Sequence, residues 1–174
     1  ILALICLFGV AFAGIAQEAV LQADSLEYDP AQGTVRAKGN VTLDRDGIVL
    51  TAPHGKGTVE GREFHLWGKV RGTWKERGME LQADDVVFRE GTEGLIVARG
   101  QASLSSGSDV LEAETLTWNL AGGDNYSASG DVRGRLGERR FQADSFEREG
   151  EKFVVREVRE LVDPAIGSSL SAPL

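Results

Sequence analysis

Cysteine is almost absent from this chain of 174 residues, and the one present, Cys6, lies in an apolar N-terminal stretch. We interpret residues 1–16 as a secretory signal peptide, because they carry no charge and end in small residues. The mature protein would then contain no cysteine, which excludes disulfides, zinc–thiolate sites and a cysteine nucleophile. A retained membrane anchor is the competing interpretation, since this stretch falls just short of the roughly 20 residues that span a bilayer.

Histidine is nearly as scarce, and catalytic motifs are missing. His54 and His65 do not form a metal-binding pattern such as HExxH, and neither GxSxG nor a phosphate-binding loop is present. The acidic residues Asp24, Asp84 and Asp144 occupy equivalent positions of a repeat, whereas catalytic carboxylate pairs need two different environments. We therefore expect no enzyme activity, no cofactor and no metal site.

An excess of basic residues is also lacking, since the formal net charge is −8. A nucleic-acid-binding protein needs a basic surface to displace counterions from phosphates, so we expect no nucleic-acid partner. A helical period of 3.6 residues is not found in any convincing stretch after Ala16. After these exclusions, the class that fits the sequence is an exported protein built from β-strands.

The most informative feature that is present is an internal repeat. The string Leu21–Asp24 returns as Leu81–Asp84 and Phe141–Asp144, at an interval of 60 residues both times. Weaker copies, Leu50–Pro53 and Leu111–Glu114, fall about halfway between them. The chain is thus predicted to contain about five repeats of about 30 residues, each forming two strands of a stacked sheet.

A glycine marks the middle of the second strand in four of the repeats. Gly39, Gly68, Gly100 and Gly130 each follow the repeat alanine by 16 or 17 residues. Apolar and small residues alternate with polar ones on both sides of each glycine, which predicts strands with one buried face. Because glycine inside a strand often marks a bend or bulge, four in register predict a sheet that curves along one line.

The inward-facing residues of these strands form the candidate binding surface. The small residues of this set would leave room for a ligand, and the large residues would line the sides of the groove. The alternative is a closed core that the same side chains fill. The set comprises Val35, Ala37, Val41, Phe64, Leu66, Val70, Trp74, Ile96, Ala98, Leu104, Tyr126, Ala128 and Val132.

The strands that carry the repeated strings contain a shift in alternation. Leu81 and Ala83 have one parity, and Val86 and Phe88 have the other, with the shift at the acidic residue Asp84 or just after it. An inserted residue at a bulge or corner produces such a shift. The repeated carboxylate is therefore predicted to be a corner residue.

The chain is expected to divide into three parts. Residues 17–162 form the β-repeat domain, with about ten antiparallel strands. The fifth repeat has no glycine around Arg159 and Glu160, and terminal repeats are often atypical. Residues 163–174 are rich in Pro, Gly and Ser and are expected to be disordered.

The first repeat, LQADSLEYDPAQGTVRAKGNVTL at Leu21–Leu43, resembles the OstA-like, or LptA, family of lipopolysaccharide-transport proteins. Gly39-Asn40-Val41 matches the end of the family pattern, and looser copies extend the resemblance to about Val162. The resemblance implies an all-β fold, a folded-over antiparallel β-jellyroll whose apolar groove holds acyl chains. It supplies no catalytic residues.

The same resemblance implies a function in outer-membrane assembly. The chain would be a periplasmic carrier or bridge that moves lipopolysaccharide from the inner to the outer membrane. Its partners would be lipopolysaccharide or lipid A and similar β-jellyroll domains docked end to end, with a possible homo-oligomer. Three alternatives stay open: an inner-membrane-anchored LptC-type component of the same pathway, a fragment resembling the N-terminal domain of the outer-membrane assembly protein, and a structural β-repeat protein that binds no lipid. An N-terminus at Gln17 in the exported protein would favour the bridge over the anchored component.

Overall fold

A computed structural model describes residues 19–58, 60, 62–90, 94–121, 125–164 and 168–171. The expected signal peptide or anchor lies outside these residues. One 3₁₀ turn, Lys75–Arg77, joins two of the strands. The strands are β1 (Val20–Gln22), β2 (Ser25–Asp29), β3 (Thr34–Arg45), β4 (Ile48–Thr58), β5 (Glu63–Trp74), β6 (Met79–Arg89), β7 (Leu95–Ser106), β8 (Asp109–Asn119), β9 (Asn125–Leu136), β10 (Arg139–Glu149), β11 (Lys152–Asp163) and β12 (Ser168–Ser171).

The strands form one antiparallel sheet in chain order. Each strand from β3 to β11 pairs with the strand before it and the strand after it, and β1 and β2 both pair with the free side of β3. Short turns connect neighbouring strands, so the pairing is local along the chain. The all-β fold and the antiparallel strand pairs expected from the alternation are confirmed.

The sheet is folded over so that two halves face each other. Each long strand contributes one part to the first half, such as Val41 and Leu43 of β3, and one part to the second half, such as Ala37. These side chains are almost completely buried, although a single flat layer would leave them open to water. The ring of Phe141 in the first half stacks on that of Phe146 in the second, with centroids 5.5 Å apart. The apolar face of the sheet therefore forms an enclosed interior.

The fold line runs through the predicted corner residues. In the β3–β4 pair, Lys38 opposes His54 and Val41 opposes Ala52, so two residues lie opposite the single Pro53. The register shifts at the same level in each pair of long strands. The repeated glycines have positive φ, from 73° to 90°, and so does the residue after each of them. The predicted line of glycines is thus confirmed as a line of bulges that bends the sheet.

At three corners an acidic residue packs against the glycine of the next strand, and at the corner of Gly68 the neighbour is Pro53. A Cβ placed on Gly100 would lie 2.7 Å from Asp84 Oδ2, and one on Gly39 or Gly130 would meet the carboxyl of Asp24 or Glu114. Asn40 Nδ2 also donates a hydrogen bond of 2.9 Å to Asp24. Glycine is required at these positions because a neighbouring side chain already occupies the space that a Cβ would need.

The fifth corner has a glutamate where the other corners have glycine. Glu157 has a φ of 54°, which lies in the left-handed region. This conformation is unfavourable for any residue that carries a side chain. The expectation that this repeat departs from the pattern is confirmed, and the departure is at Glu157 rather than at Arg159 or Glu160. Asp144 faces Glu157 as the corner carboxylate, and Arg159 Nε lies 3.6 Å from Asp144.

The two ends of the sheet are only partly covered. Ser168–Ser171 pairs with Glu160–Asp163 of β11, so the expectation of a disordered tail does not hold for these residues. The expectation fails because a strand edge offers unpaired N–H and C=O groups that even a polar segment satisfies. Residues 152–158 of β11 have no pairing on that side within the described part of the chain.

Candidate functional site

The candidate site is the apolar interior between the two halves. Of the predicted inward residues, the buried ones are Ala37, Val41, Phe64, Leu66, Val70, Ile96, Ala98, Leu104, Ala128 and Val132. Trp74 and Tyr126 are partly buried and pack against this core. Val35 is also partly exposed but does not belong to the core. The structure thus places the predicted surface inside the fold, while contact of these residues with a lipid stays a prediction.

The strands with the repeated strings contribute as much to the interior as the glycine strands do. Val86 and Phe88 of β6 are buried, as are Trp118 of β8 and Phe146 of β10. The predicted site omitted these residues, although the shift in alternation at each corner had already indicated which of them face inward. Both strands of every repeat must therefore be counted as walls of the site.

The interior is closely packed beside the aromatic pair formed by Trp74 and Trp118. Beside Trp74 and Trp118, whose ring centroids are 4.8 Å apart, only a cavity of about 10 Å³ is left. Such a volume holds no more than one water molecule. At this point along the interior, the side chains fill the space that an acyl chain would need.

Two contacts close the seam, which we define as the line where the hairpin ends of the two halves meet. Arg45 at the end of β3 belongs to the first half, and Glu90 follows β6 in the second. Arg45 Nη1 lies 3.0 Å from Glu90, and its guanidinium lies 5.3 Å from the ring centroid of Phe88. Because β3 and β6 are not neighbours in the sheet, this ion pair bridges the interior. The Trp74–Trp118 contact does the same farther along.

Beyond these contacts the seam widens into a cleft of about 420 Å³. Its first-half wall carries apolar side chains together with Ser105, Ser106 and Asp109, and Arg77 lies beside them. Tyr126 and Arg148 supply the second-half wall. The apolar members of the first-half wall are Met79, Leu104, Val110, Leu111 and Leu136.

Both arginines of the cleft have protein partners. The Arg77 guanidinium lies 4.3 Å from the ring centroid of Trp74. Arg148 Nη1 donates a hydrogen bond of 3.1 Å to the hydroxyl of Tyr126, and Arg148 Nε donates one of 2.8 Å to the carbonyl of Gly150. These contacts hold two positive charges at the edge of an apolar cleft.

Glu157, an ionisable group outside the interior, has a shifted pKa. A hydrogen bond with Asp144, together with the negative charge of that residue, raises the pKa of Glu157 above its ordinary value of 4.5. Both side chains are exposed and lie at the fifth corner. The two carboxyl groups therefore oppose each other when both are ionised.

The outer face carries the two histidines around one exposed tryptophan. The rings of His54 and His65 lie 5.8 and 4.9 Å from that of Trp67, and His65 also contacts Asp85. Across the described residues, no three His, Cys, Asp or Glu side chains are grouped to hold a metal ion. No helix within the same residues has both the length and the apolar character needed to cross a membrane.

Comparison with known proteins identifies the fold. No protein-family profile and no curated protein matches the chain. Among solved structures, it superposes with a TM-score of 0.62 on LptH, described as the LptA-homologous periplasmic component of the lipopolysaccharide transport device of Pseudomonas aeruginosa. The match covers 69% of this chain and 95% of LptH, at 17% identity.

This chain has the fold of LptH. The expected likeness to LptA-type proteins is thereby confirmed at the level of the fold, as is the β-jellyroll architecture. LptH is a component of a transport device.

Proposed function

We propose that this protein is a periplasmic carrier or bridge component that moves lipopolysaccharide, with the acyl chains held between the two halves of the sheet. The observation that carries the proposal is the folded-over sheet, whose apolar interior extends from β3 to β10 and opens at the cleft. Burial of an acyl chain contributes about 0.8 kcal/mol per methylene group, so a chain of ordinary length would be held firmly.

The ends of the sheet suit docking to similar domains. Most exposed large apolar residues lie there: Val20, Leu26 and Tyr28 at the β1–β2 end, and Phe153 and Val154 at the β11 end. A strand edge with apolar neighbours accepts another strand by backbone pairing. End-to-end docking would extend the interior from one domain into the next.

If similar domains dock end to end, we expect their assembly to depend on the edge of β11. Replacing Val154 by lysine places a charge on this edge and should shift the protein toward the monomer in light-scattering measurements over a range of concentrations. The matched control is Thr51→Lys on the outer face of β4, which adds the same charge and should leave assembly unchanged. Equal assembly of both variants would exclude this edge as the docking site.

Close packing of the interior favours a second candidate, a structural β-repeat protein that binds no lipid. The two candidates differ in what the interior contacts in the cell. A benzophenone amino acid placed at Phe64, which is 7% exposed and faces inward, should crosslink to lipopolysaccharide in growing cells. The control position is Trp67, three residues along β5 and exposed on the outer face.

The outcome separates the two candidates. An adduct that an antibody against lipopolysaccharide detects at Phe64 but not at Trp67 supports the carrier. Circular dichroism verifies that both variants fold. A folded, exported protein without an adduct at Phe64 would leave the structural role as the better account.

A further inference from the structure

The seam between the two halves is not uniform along the sheet. On the β3 side it is closed by the Arg45–Glu90 ion pair, in which the arginine side chain is only 17% exposed. In the middle it is closed by the Trp74–Trp118 rings. On the β9–β10 side, the cleft interrupts it. Within the described residues of this seam, the cleft is therefore an opening that a ligand approaching from the side would meet.

The cleft has the size of a binding site. Its volume of about 420 Å³ lies within the range of small-molecule pockets, roughly 300–1,000 Å³. Met79 and Leu104 line both the cleft and the small cavity beside Trp74 and Trp118, so the cleft leads toward the buried interior. The small cavity is too narrow for a chain, so a ligand would rest in the cleft unless the rings move apart.

The chemistry of the walls specifies the kind of ligand. Met79, Leu104, Leu111 and Leu136 offer an apolar surface, which suits a hydrocarbon chain. Arg148 and Arg77 add two guanidinium groups at the edge, in a protein whose net charge is −8. Guanidinium groups bind phosphates and carboxylates through charge-assisted hydrogen bonds.

Among the described residues that line the cleft, Asp109 carries the one carboxylate. Asp109 Oδ1 accepts a hydrogen bond of 2.7 Å from the backbone N–H of Gly137, so the next hairpin turn holds the carboxylate. The hydroxyl of Tyr126 accepts from Arg148 and keeps its own proton available for a head group. The polar groups of the cleft thus form a rim around the apolar wall.

We infer that the cleft is a lateral port that binds an amphiphile with one acyl chain against the apolar wall and an anionic head group at Arg148 and Arg77. The inference rests on the proposed function, and it deepens that function by naming where a lipid passes between solvent and interior. The shared chemistry of the head group is a phosphate or a carboxylate.

Tryptophan fluorescence tests the port, because bromine at the end of a chain quenches a nearby tryptophan. The probes are bromoundecanoic acid, bromoundecyl phosphate and the neutral bromoundecanol. In Trp67→Phe, the remaining Trp74 and Trp118 report on the region next to the cleft. In the double variant Trp74→Phe/Trp118→Phe, the remaining Trp67 reports on the outer face.

The port predicts saturable quenching of Trp74 and Trp118 by the acid and the phosphate, and weaker quenching by the alcohol. Tighter binding of the phosphate would assign the head group to a lipid phosphate, and equal binding would assign it to anions in general. Quenching of Trp67 to the same extent, or equal binding of the alcohol, would overturn the inference because either indicates adsorption without the arginines.

Three variants locate the site. Arg148→Gln should weaken binding of the acid and the phosphate about three- to tenfold and leave the alcohol unaffected, as expected for one charge-assisted hydrogen bond. Leu136→Glu should abolish quenching, since it places a carboxylate on the half-exposed rim of the cleft. Thr51→Glu, which adds the same charge on the outer face, should not. Unchanged binding in folded Arg148→Gln would refute the assignment.

The quenching experiment that tests the port and the crosslinking experiment that tests the proposed function can fail independently. A lipopolysaccharide adduct at Phe64 without quenching of Trp74 and Trp118 would remove the lateral port and leave the carrier, with lipid passing through the ends of the sheet. Quenching without an adduct would remove the lipopolysaccharide carrier and leave the cleft as a site for other anionic amphiphiles.

Discussion

The corner glycines yield the sharpest prediction, that Gly100→Ala costs far more than an ordinary glycine substitution. Two effects add at this position. The φ of 74° costs an alanine about 1–2 kcal/mol. The new Cβ would also lie 2.7 Å from Asp84 Oδ2 and 2.9 Å from Asp84 Cβ, and such overpacking costs about 1–3 kcal/mol.

Gly107 provides the matched control. It has a φ of 58° in the β7–β8 turn, and a Cβ there would meet no atom within 4 Å. Gly107→Ala should therefore carry only the backbone cost. We expect Gly100→Ala to lower the free energy of unfolding by about 1–3 kcal/mol more, which corresponds to an additional fall in Tm of roughly 2–12 °C.

Urea and thermal unfolding, followed by circular dichroism, measure both variants. In a double-mutant cycle, Asp84→Gly should relieve the added cost of Gly100→Ala, because it removes the side chain that the new Cβ meets. Equal losses in Gly100→Ala and Gly107→Ala would refute the close approach of the two strands at the corner, and with it the stated role of the repeated acidic residue.

Four further predictions concern other parts of the fold. Glu157→Gly should raise Tm by about 2–4 °C in a melting experiment, because it relieves a left-handed residue. Since Asp144 raises the pKa of Glu157 in the folded state, the wild-type protein gains stability from Glu157 below pH 4.5 and loses it as the pH rises through the folded pKa. The advantage of Glu157→Gln over wild type should therefore grow with pH in urea titrations, and a constant difference would contradict this. Glu90→Gln should lower the free energy of unfolding by about 1–2 kcal/mol, a value between those of exposed and buried ion pairs. The reason is that the largely buried Arg45 loses its partner across the seam. In an Arg45→Met background, Glu90→Gln should cause no such loss. Phe146→Ala should cost about 3–5 kcal/mol in urea unfolding, since the ring is 1% exposed and stacks between three others, and a loss under 1 kcal/mol would show that the aromatic cluster is not formed.

Much of the site could be predicted because alternation reports directly on the face of a sheet. Phe64, Leu66 and Val70 all lie inside, and Arg71 lies outside, as their parity requires. Parity did not predict burial correctly where a residue on the outer face is covered by its neighbours on that face. Val87 and Val97 have outward parity, yet each is only 8% exposed and lies outside the core of the interior.

The contacts across the seam had no signal in the sequence. Arg45 and Glu90 are distant along the chain, at the ends of two strands that do not pair, so no period links them. The same holds for Trp74 and Trp118, and for the position of Arg148 in the cleft. Whether two such residues meet depends on the twist of the sheet and on the angle through which it folds.

The sequence alone determined that this protein is a stack of antiparallel β-repeats, bent along a line of glycines and acidic residues, because backbone geometry makes alternation and bulges local properties. Only the tertiary structure decided that the two halves close on each other, which contacts seal the seam and where a cleft is left open. Those features depend on the distance between halves, which arises from the packing of side chains far apart in the chain.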